Sequence, residues 1–333
     1  MQILAGVLWQ SFRAFTGAYG LSLAGLLFLN LILREDQALW LAFFNSFAHL
    51  MLLPALVLFP LVTLLRQWLL SALLLPAILF FTLTYGGQFL PNRSAEVPQD
   101  AQTMRLMTFN VLAGNRTPEA VIAQIALADA DIVALQEVSQ AHAALLRTEF
   151  ADEYAFMGLH PQEYNGTQGQ GILSRYRLIE DRYFQYDFVP HPLGHQRAVL
   201  ERPDGSRMVV YNVHPSHPGM NGSYFDPSMR SRELAQIRAE AAAETLPVII
   251  MGDFNMPELS DDHAALSELY TDTYRTAGWG MGWTFRYPIT LPPLLRLDYI
   301  FLGDAFTPLH AEVVYPFSGS DHHALWADVV MNP

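Results

Sequence analysis

Cysteine is absent from all 333 residues. That excludes disulfides, thiolate metal ligands and a cysteine nucleophile, and it fits either redox compartment. Lysine is absent as well, a compositional bias to which no functional meaning attaches. Charge is scarce at one end of the chain. Before position 94 the only charged residues are Arg13, Arg34, Glu35, Asp36, Arg66 and Arg93. From position 94 onward 15 Arg face 30 Asp plus Glu, a formal net charge of about −15. Such an excess argues against a non-specific grip on nucleic acid, which draws its affinity from cations that neutralise phosphates. A local Arg-lined site remains compatible with it.

Long apolar runs occupy the charge-poor end. Residues 14–33 form the first, 38–63 the second, broken by Pro54 and Pro60, and 67–90 the third. Each approaches or exceeds the roughly 20 residues that a helix needs to cross a bilayer. Proline is tolerated in such helices when neighbours satisfy the freed carbonyls. A buried soluble bundle would carry more charge. A cleaved signal peptide would be followed by polar sequence, not by two further spans. Three spans put the two ends of the anchor on opposite sides. Arg13 and Arg66 share one side, while Arg34 with its two acids and Arg93 share the other. The positive-inside rule then expects a cytoplasmic N terminus and an external C-terminal domain. Residues 91–103, polar with two prolines, read as a linker. The expected organisation is an anchor over 1–90, a linker over 91–103 and a second domain over 104–333.

Beyond the linker the texture alternates between strand and helix. Residues 104–112, 131–138, 207–214, 246–254 and 297–303 read as strands, and 118–129 and 229–244 as helices with apolar spacing near 3.6. Polar residues recur at the strand ends: Asn110, Glu137, His214, Asp253 and Asn255 after four strands, Asp298 at the start of another, and Asp321-His322 before the last. In layered α/β proteins such ends are where a rigid scaffold presents site residues. One such residue alone reads as structural. Six in the same slots form a chemical set. Hard divalent cations take oxygen ligands, and Mg²⁺ takes one or two carboxylates plus waters and substrate phosphate. Glu137 and Asp321 supply carboxylates and Asn110 an amide oxygen. Asp298 or Asp321 can orient His322 and keep it basic. An Asn and a His aimed at phosphoryl oxygens can stabilise developing charge.

The segments TFNV (108–111), LQEV (135–138), NVHP (212–215), GDFN (252–255), RLDYIF (296–301) and SDHHAL (320–325) occur in an order that resembles the endonuclease/exonuclease/phosphatase superfamily, in a membrane-anchored bacterial form. GDFN and SDHHAL are the most specific of them. The resemblance covers about 104–330. It implies a four-layer α/β sandwich of two packed mixed sheets with the site at one edge, here preceded by three transmembrane helices. It implies Asn110 and Glu137 as the metal-site pair and Asp321 as a second metal-side carboxylate. Asp253 then orients or activates the attacking water, Asn255 contacts the phosphoryl oxygen and His214 stabilises the transition state. Asp298 orients His322, the catalytic acid/base. The implied reaction is in-line attack of water on phosphorus, with Mg²⁺ or Mn²⁺ polarising the phosphoryl group.

Other residues divide between site and surface readings. Arg175 matches a Ser-Arg pattern after a strand, and either contacts substrate phosphate or forms a structural ion pair. His323 cannot share the direction of its neighbour His322. His217, His191 and His195 either rim the site or lie at the surface. The Gly- and aromatic-rich stretch 278–288 is either a substrate- or membrane-facing lip or a packed turn. A tether near the bilayer raises the effective concentration of lipid head groups. The expected substrate is therefore a lipid-linked phosphate, such as a polyprenyl diphosphate, or a phospholipid head group. A sphingomyelinase-like phospholipase C, a membrane-tethered nuclease and a non-catalytic binding module are the alternatives. No protein partner is implied, and the expected location is the bacterial inner or plasma membrane.

Overall fold

A computed structural model describes residues 2–35, 38–90, 102–163, 166–219, 225–315 and 319–332. The chain divides into two compact units, 1–90 and 91–333. Most of the linker reading, 91–101, lies outside the described residues, as does Asp36.

The first unit is helical: α1 (Gln2–Ile32), α2 (Leu39–Leu64) and α3 (Trp68–Tyr85). All three are long and apolar enough to cross a membrane. The helix α1 starts a dozen residues before the first apolar run and carries Arg13 inside it. Its 31 residues span about 46 Å, longer than a hydrocarbon core of about 30 Å. Gly20 lets α1 approach α3 closely, since a Cβ there would sit 3.1 Å from Leu73 Cβ. Hydroxyls turn inward rather than out. Ser46 donates to the Ala42 carbonyl and Thr63 to that of Phe59. Asn45 donates to the buried Glu35 carboxylate at 2.9 Å.

The second unit is a four-layer sandwich. One mixed sheet orders β11 (Phe306–Val314), β12 (Ala324–Met331), β1 (Thr103–Asn110), β2 (Ile132–Gln136), β4 (Gln170–Ser174) and β3 (Phe156–His160). The other orders β5 (Arg177–Phe184), β6 (His195–Glu201), β7 (Arg207–Val213), β8 (Val248–Asp253), β10 (Asp298–Leu302) and β9 (Thr271–Asp272). Each sheet has one parallel pair, β1 with β2 and β7 with β8, flanked by antiparallel neighbours. The helices α4 (Pro118–Ala128) and α5 (Gln140–Glu149) cover the first sheet, and α6 (Ser228–Ala242) and α7 (Asp261–Ser267) the second. A five-residue helix, α8 (Thr273–Ala277), follows β9.

Side chains alternate along a strand, so every second residue enters the space between the sheets. That inner layer holds Leu106, Ile132 and Ala134 from one sheet, and Met208, Val210, Ile249, Met251, Ile300 and Leu302 from the other. The next position of each row is polar: Thr108 and Asn110, Gln136, Asn212, Asp253 and Asp298. The apolar core thus changes into the site along the same set of strands. A polar bridge marks the boundary. Gln136 donates to Asn212 across the gap at 2.7 Å and to Thr108 at 3.1 Å.

A buried ion cluster fixes the start of β10. Arg296 pairs with Asp272, which also bonds His263 at 2.9 Å, and the guanidinium lies 4.5 Å from the Tyr299 ring centre. Burial alone would raise the Asp272 pKa. Arg296 and His263 outweigh it and hold the carboxyl well below its usual range. Because that pKa is depressed, the contribution to stability is complete above the unfolded value near 4 and is lost as pH falls through the folded one. Removing Asp272 leaves the buried Arg296 to the more distant Glu258 carboxylate, 3.5 Å away. Asp272→Ala should cost about 3 kcal/mol, read as a lowered Tm at neutral pH.

Candidate active site

Glu137 follows the last residue of β2, and by strict alternation it would point away from the inner layer. Its φ of +60° turns it back. A left-handed non-glycine residue costs roughly 1–2 kcal/mol, and here that strain sets a carboxylate at the edge of the sandwich. Oε2 accepts from the Ala113 amide at 3.0 Å and Oε1 from Asn110 Nδ2 at 3.2 Å. Asn255, with φ +49°, is a second such turn. Its amide donates to Asp253 Oδ1 at 2.9 Å, and its Nδ2 to the Pro215 carbonyl at 3.0 Å. Gly252 precedes them where β8 passes β7. A Cβ there would fall 2.0 Å from the Val213 carbonyl oxygen, at a φ of +152°. No other residue type fits without moving the strand that ends in Asp253.

Asp253 is the hub. Its Oδ2 accepts from Asn110 Nδ2 at 3.0 Å and lies 3.4 Å from His214 Nε2 and 3.5 Å from His322 Nε2. Behind His322, Asp298 Oδ2 meets Nδ1 at 2.8 Å. The antiparallel register sets Asp298 opposite Asp253, so His322 is held by carboxylates from adjacent strands. Ser320 fixes the approach. Its hydroxyl donates to the Asn110 carbonyl at 2.7 Å and accepts the His322 amide at 3.0 Å.

Protonation follows from this packing. Burial would lower the His322 pKa. Asp298, Asp253 and Asp321 outweigh it, and the ring stays protonated well above its usual value. Burial pushes the Asp298 carboxyl up, so the two groups compete for one proton across the 2.8 Å contact. His214 is raised too, burial being outweighed by Asp253 and Glu137. Asp253 is driven low, because the two histidines overcome its burial. Burial raises Asp321, and its nearest opposing influence is His322.

Four acids, Glu137, Asp253, Asp298 and Asp321, therefore meet two histidines. The two histidines offset only part of that negative charge, which favours a further cation. Asp253, Asp298 and His322 lie close enough for one ion, with ligand atoms within 4.8 Å of one another. Yet His322 spends Nδ1 on Asp298 and faces Asp253 with Nε2, so those three satisfy one another. A hard cation is better served by the oxygen donors at Glu137, which is 12% exposed and reachable. Asn110 fits the pairing less simply than its residue type suggests. Its oxygen accepts the Leu112 amide at 3.1 Å while Nδ2 faces the carboxylates. It ligates through oxygen only if the amide turns over.

The residues that divide between site and surface readings resolve one by one. Arg175, expected near substrate phosphate, is not at the site. It follows β4, which runs antiparallel to β2, and therefore emerges at the Ile132 end of that strand, away from Glu137. There it pairs with Asp129, Asp131 and Glu153. His323 points away from His322, buried against the Val314 carbonyl at 3.2 Å. His217 and His191 are exposed. His195 is fully buried, neither rim nor surface: its Nδ1 accepts the His214 amide at 3.2 Å, and Nε2 lies 3.3 Å from buried Glu233. Glu233 also accepts the Ser216 amide at 2.8 Å. This pair braces the backbone on both sides of Pro215. Glu233 sits on α6 with no motif around it, and only its place on a buried helix face could have marked it.

A two-sheet sandwich with His-Asp pairs and a carboxylate at one edge defines a phosphoester hydrolase scaffold, and the comparisons agree. The model of the Endonuclease/Exonuclease/phosphatase family matches residues 107–322. The chain belongs to that family, whose members are phosphoester hydrolases, typically dependent on a divalent metal. No curated protein matches it. Solved structures share the fold. An endonuclease/exonuclease/phosphatase family protein from Bacteroides thetaiotaomicron is 15% identical, with TM-score 0.59 over 70% of this chain and 100% of that one. TDP2 from D. rerio, complexed with single strand DNA product, is 17% identical, with TM-score 0.56 over 68% and 99%. The human Nocturnin catalytic domain with bound sulfate anion is 16% identical, with TM-score 0.53 over 72% and 100%.

Proposed function

We propose that the protein is a membrane-anchored, Mg²⁺- or Mn²⁺-dependent hydrolase of a lipid-linked phosphate or phospholipid head group. The observation that carries the chemistry is Asp253 clasped between His214 and His322, with Asp298 behind His322 and Glu137 beside them. When bound, the metal supplies charge that polarises the phosphoryl group. Glu137 would hold it, with Asp321 and, once its amide is turned, Asn110.

The chain's own residues do the rest. Asp253, kept ionised by two histidines, orients the attacking water, and the proton that the water sheds leaves to solvent. His214, protonated and buried, donates to the equatorial oxygens as charge develops there, and Asn255 adds a contact. His322, held protonated by Asp298, delivers a proton to the departing oxygen. The buried apolar layer behind them keeps water out from that side.

The lipid reading rests on the three apolar helices and on the acidity of the catalytic domain. A membrane tether keeps the domain near the bilayer and raises the local concentration of head groups. The domain's charge opposes long nucleic acid. A tethered nuclease is the second reading, favoured by the D. rerio TDP2 structure with its DNA product. The deciding test incubates the full chain and Mg²⁺ with polyprenyl diphosphate, sphingomyelin, phosphatidylglycerol or plasmid DNA. Turnover of lipid with no DNA nicking is expected. Comparable DNA nicking would sink the lipid reading, and choline-phosphate release from sphingomyelin alone would move it to a phospholipase C. An external catalytic domain predicts that protease added to intact cells removes it.

A further inference from the structure

Residues 286–294, Arg-Tyr-Pro-Ile-Thr-Leu-Pro-Pro-Leu, form an excursion closed at its base. Phe285 and Thr284 both donate their amides to the Leu295 carbonyl at 2.8 Å, and Leu294 returns one to Phe285 at 2.9 Å. The base is stitched to the catalytic segment. The Arg286 amide donates to the Asp321 carbonyl at 3.0 Å, and the His323 amide to the Thr284 carbonyl at 2.7 Å. The Phe285 ring packs on His322 with 4.9 Å between centres. Thr284 Oγ1 accepts the Asp298 amide at 3.2 Å. The segment therefore stands on the catalytic centre itself, not on a remote surface.

Its tip is apolar and turned outward. Tyr287 is 79% exposed and Leu291 is 44% exposed, with Pro288 and Pro292 exposed around them. Three prolines and the closed base make it stiff, so exposure of the tip costs little further ordering on contact. The charge pattern selects the occupant. Acids are spread through the catalytic domain, yet 273–297 contains none, the longest acid-free stretch after position 94. An acidic domain is repelled by an anionic bilayer, and this excursion adds no acid of its own to that repulsion and carries Arg286. Tyrosine with aliphatic side chains on a stiff tip suits the boundary between head groups and acyl chains.

We infer that this excursion is a bilayer-docking lip, seating Tyr287 and Leu291 in the lipid interface beside His322. The inference rests on the membrane-anchored reading above but not on the identity of the substrate. Docking there brings a head group to the mouth without lifting the lipid's chains into water.

The absence of cysteine makes the test clean. Tyr287→Cys and Leu291→Cys variants of the full chain each carry one thiol for a polarity-sensitive fluorophore. Leu127→Cys and Leu269→Cys, also at exposed apolar positions, are the controls. In vesicles of phosphatidylethanolamine and phosphatidylglycerol, probes at 287 and 291 should shift to the blue and be quenched by bromine-labelled acyl chains. The controls should respond only to aqueous iodide. Iodide quenching at 287 and 291 equal to the controls, with none from bromolipid, overturns the lip. So does burial of both probes in detergent that grows with protein concentration, which assigns the surface to a second copy. The readout needs no turnover. Bromolipid quenching without lipid hydrolysis would keep the lip and discard the substrate reading.

Discussion

Glu137→Ala should abolish metal-dependent turnover while the protein stays folded. With Asp321, the Glu137 carboxylate is one of the two that are not fully buried among the clustered acids, and its left-handed backbone turns it into the site. Metal polarisation supplies several kcal/mol in sites of this kind. Losing about 4 kcal/mol corresponds to a fall on the order of 10³-fold. Stability should change little, because two opposing effects meet at this position. The variant loses the bonds to Asn110 and the Ala113 amide, and it relieves repulsion among Glu137, Asp253 and Asp321. Turnover against Mg²⁺ or Mn²⁺ concentration, with a parallel thermal melt, separates the outcomes. A variant that keeps full activity removes Glu137 from the metal site. A variant that unfolds assigns it to the scaffold.

Asp298→Asn should slow turnover by roughly 10²- to 10⁴-fold, the range that a positioned acid or base contributes. Asp298 positions His322 through the 2.8 Å contact with Nδ1, and its charge is the first of the carboxylates that keep the ring protonated despite burial. Asparagine keeps the shape and removes the charge. Burial is then opposed by Asp253 and Asp321 alone, and the His322 pKa falls. If the protonated ring delivers the proton to the leaving oxygen, the activity of the variant should decline at lower pH than that of the native protein. A purely structural role would lower kcat at every pH and leave the profile where it was. The comparison of kcat/KM profiles is therefore decisive for the role. A leaving group that needs no proton, such as p-nitrophenolate, should recover much of the loss.

The candidate site residues are legible in the sequence because the fold writes them as interruptions of a period-2 pattern. Leu106, Thr108 and Asn110 share one face of β1, and Ile249, Met251 and Asp253 one face of β8. In each row the apolar run stops where the core opens to the site. Glu137 is legible from its motif alone, since alternation points it the wrong way and only its left-handed turn corrects it. Arg175 sits in a similar local pattern, but the direction of β4 sends it to the opposite edge. Local sequence carries no strand direction, so that error has no local remedy. Gln136 and Asn212 lie inside motifs, yet their bridge joins residues 76 apart and requires both sheets to be in place. His195 and Glu233 are hidden for the same reason, 38 residues apart and inconspicuous in their own segments. The strands β3 and β5 leave a faint trace because both lie at sheet edges, where the pattern weakens. In β5, Arg177–Phe184, exposed charges outnumber buried apolar residues.

The helical unit shows the opposite balance. Its three apolar runs are plain in sequence, but the start of α1 is not, because residues 2–13 are apolar enough to be helix and too mixed to be read as a span. Arg13 therefore lies within a helix rather than at its boundary, and the charge asymmetry that orients the anchor depends on how far α1 protrudes from the bilayer.

The central claim is that this edge of the sandwich performs metal-dependent phosphoester hydrolysis. The most direct measurement is phosphoester turnover by the purified full chain, first treated with EDTA and then resupplied with Mg²⁺ or Mn²⁺. Turnover should vanish with the chelator, return with the metal, and be missing from Glu137→Ala under every condition. Turnover indifferent to EDTA, or none on any phosphoester with metal restored, would contradict the claim.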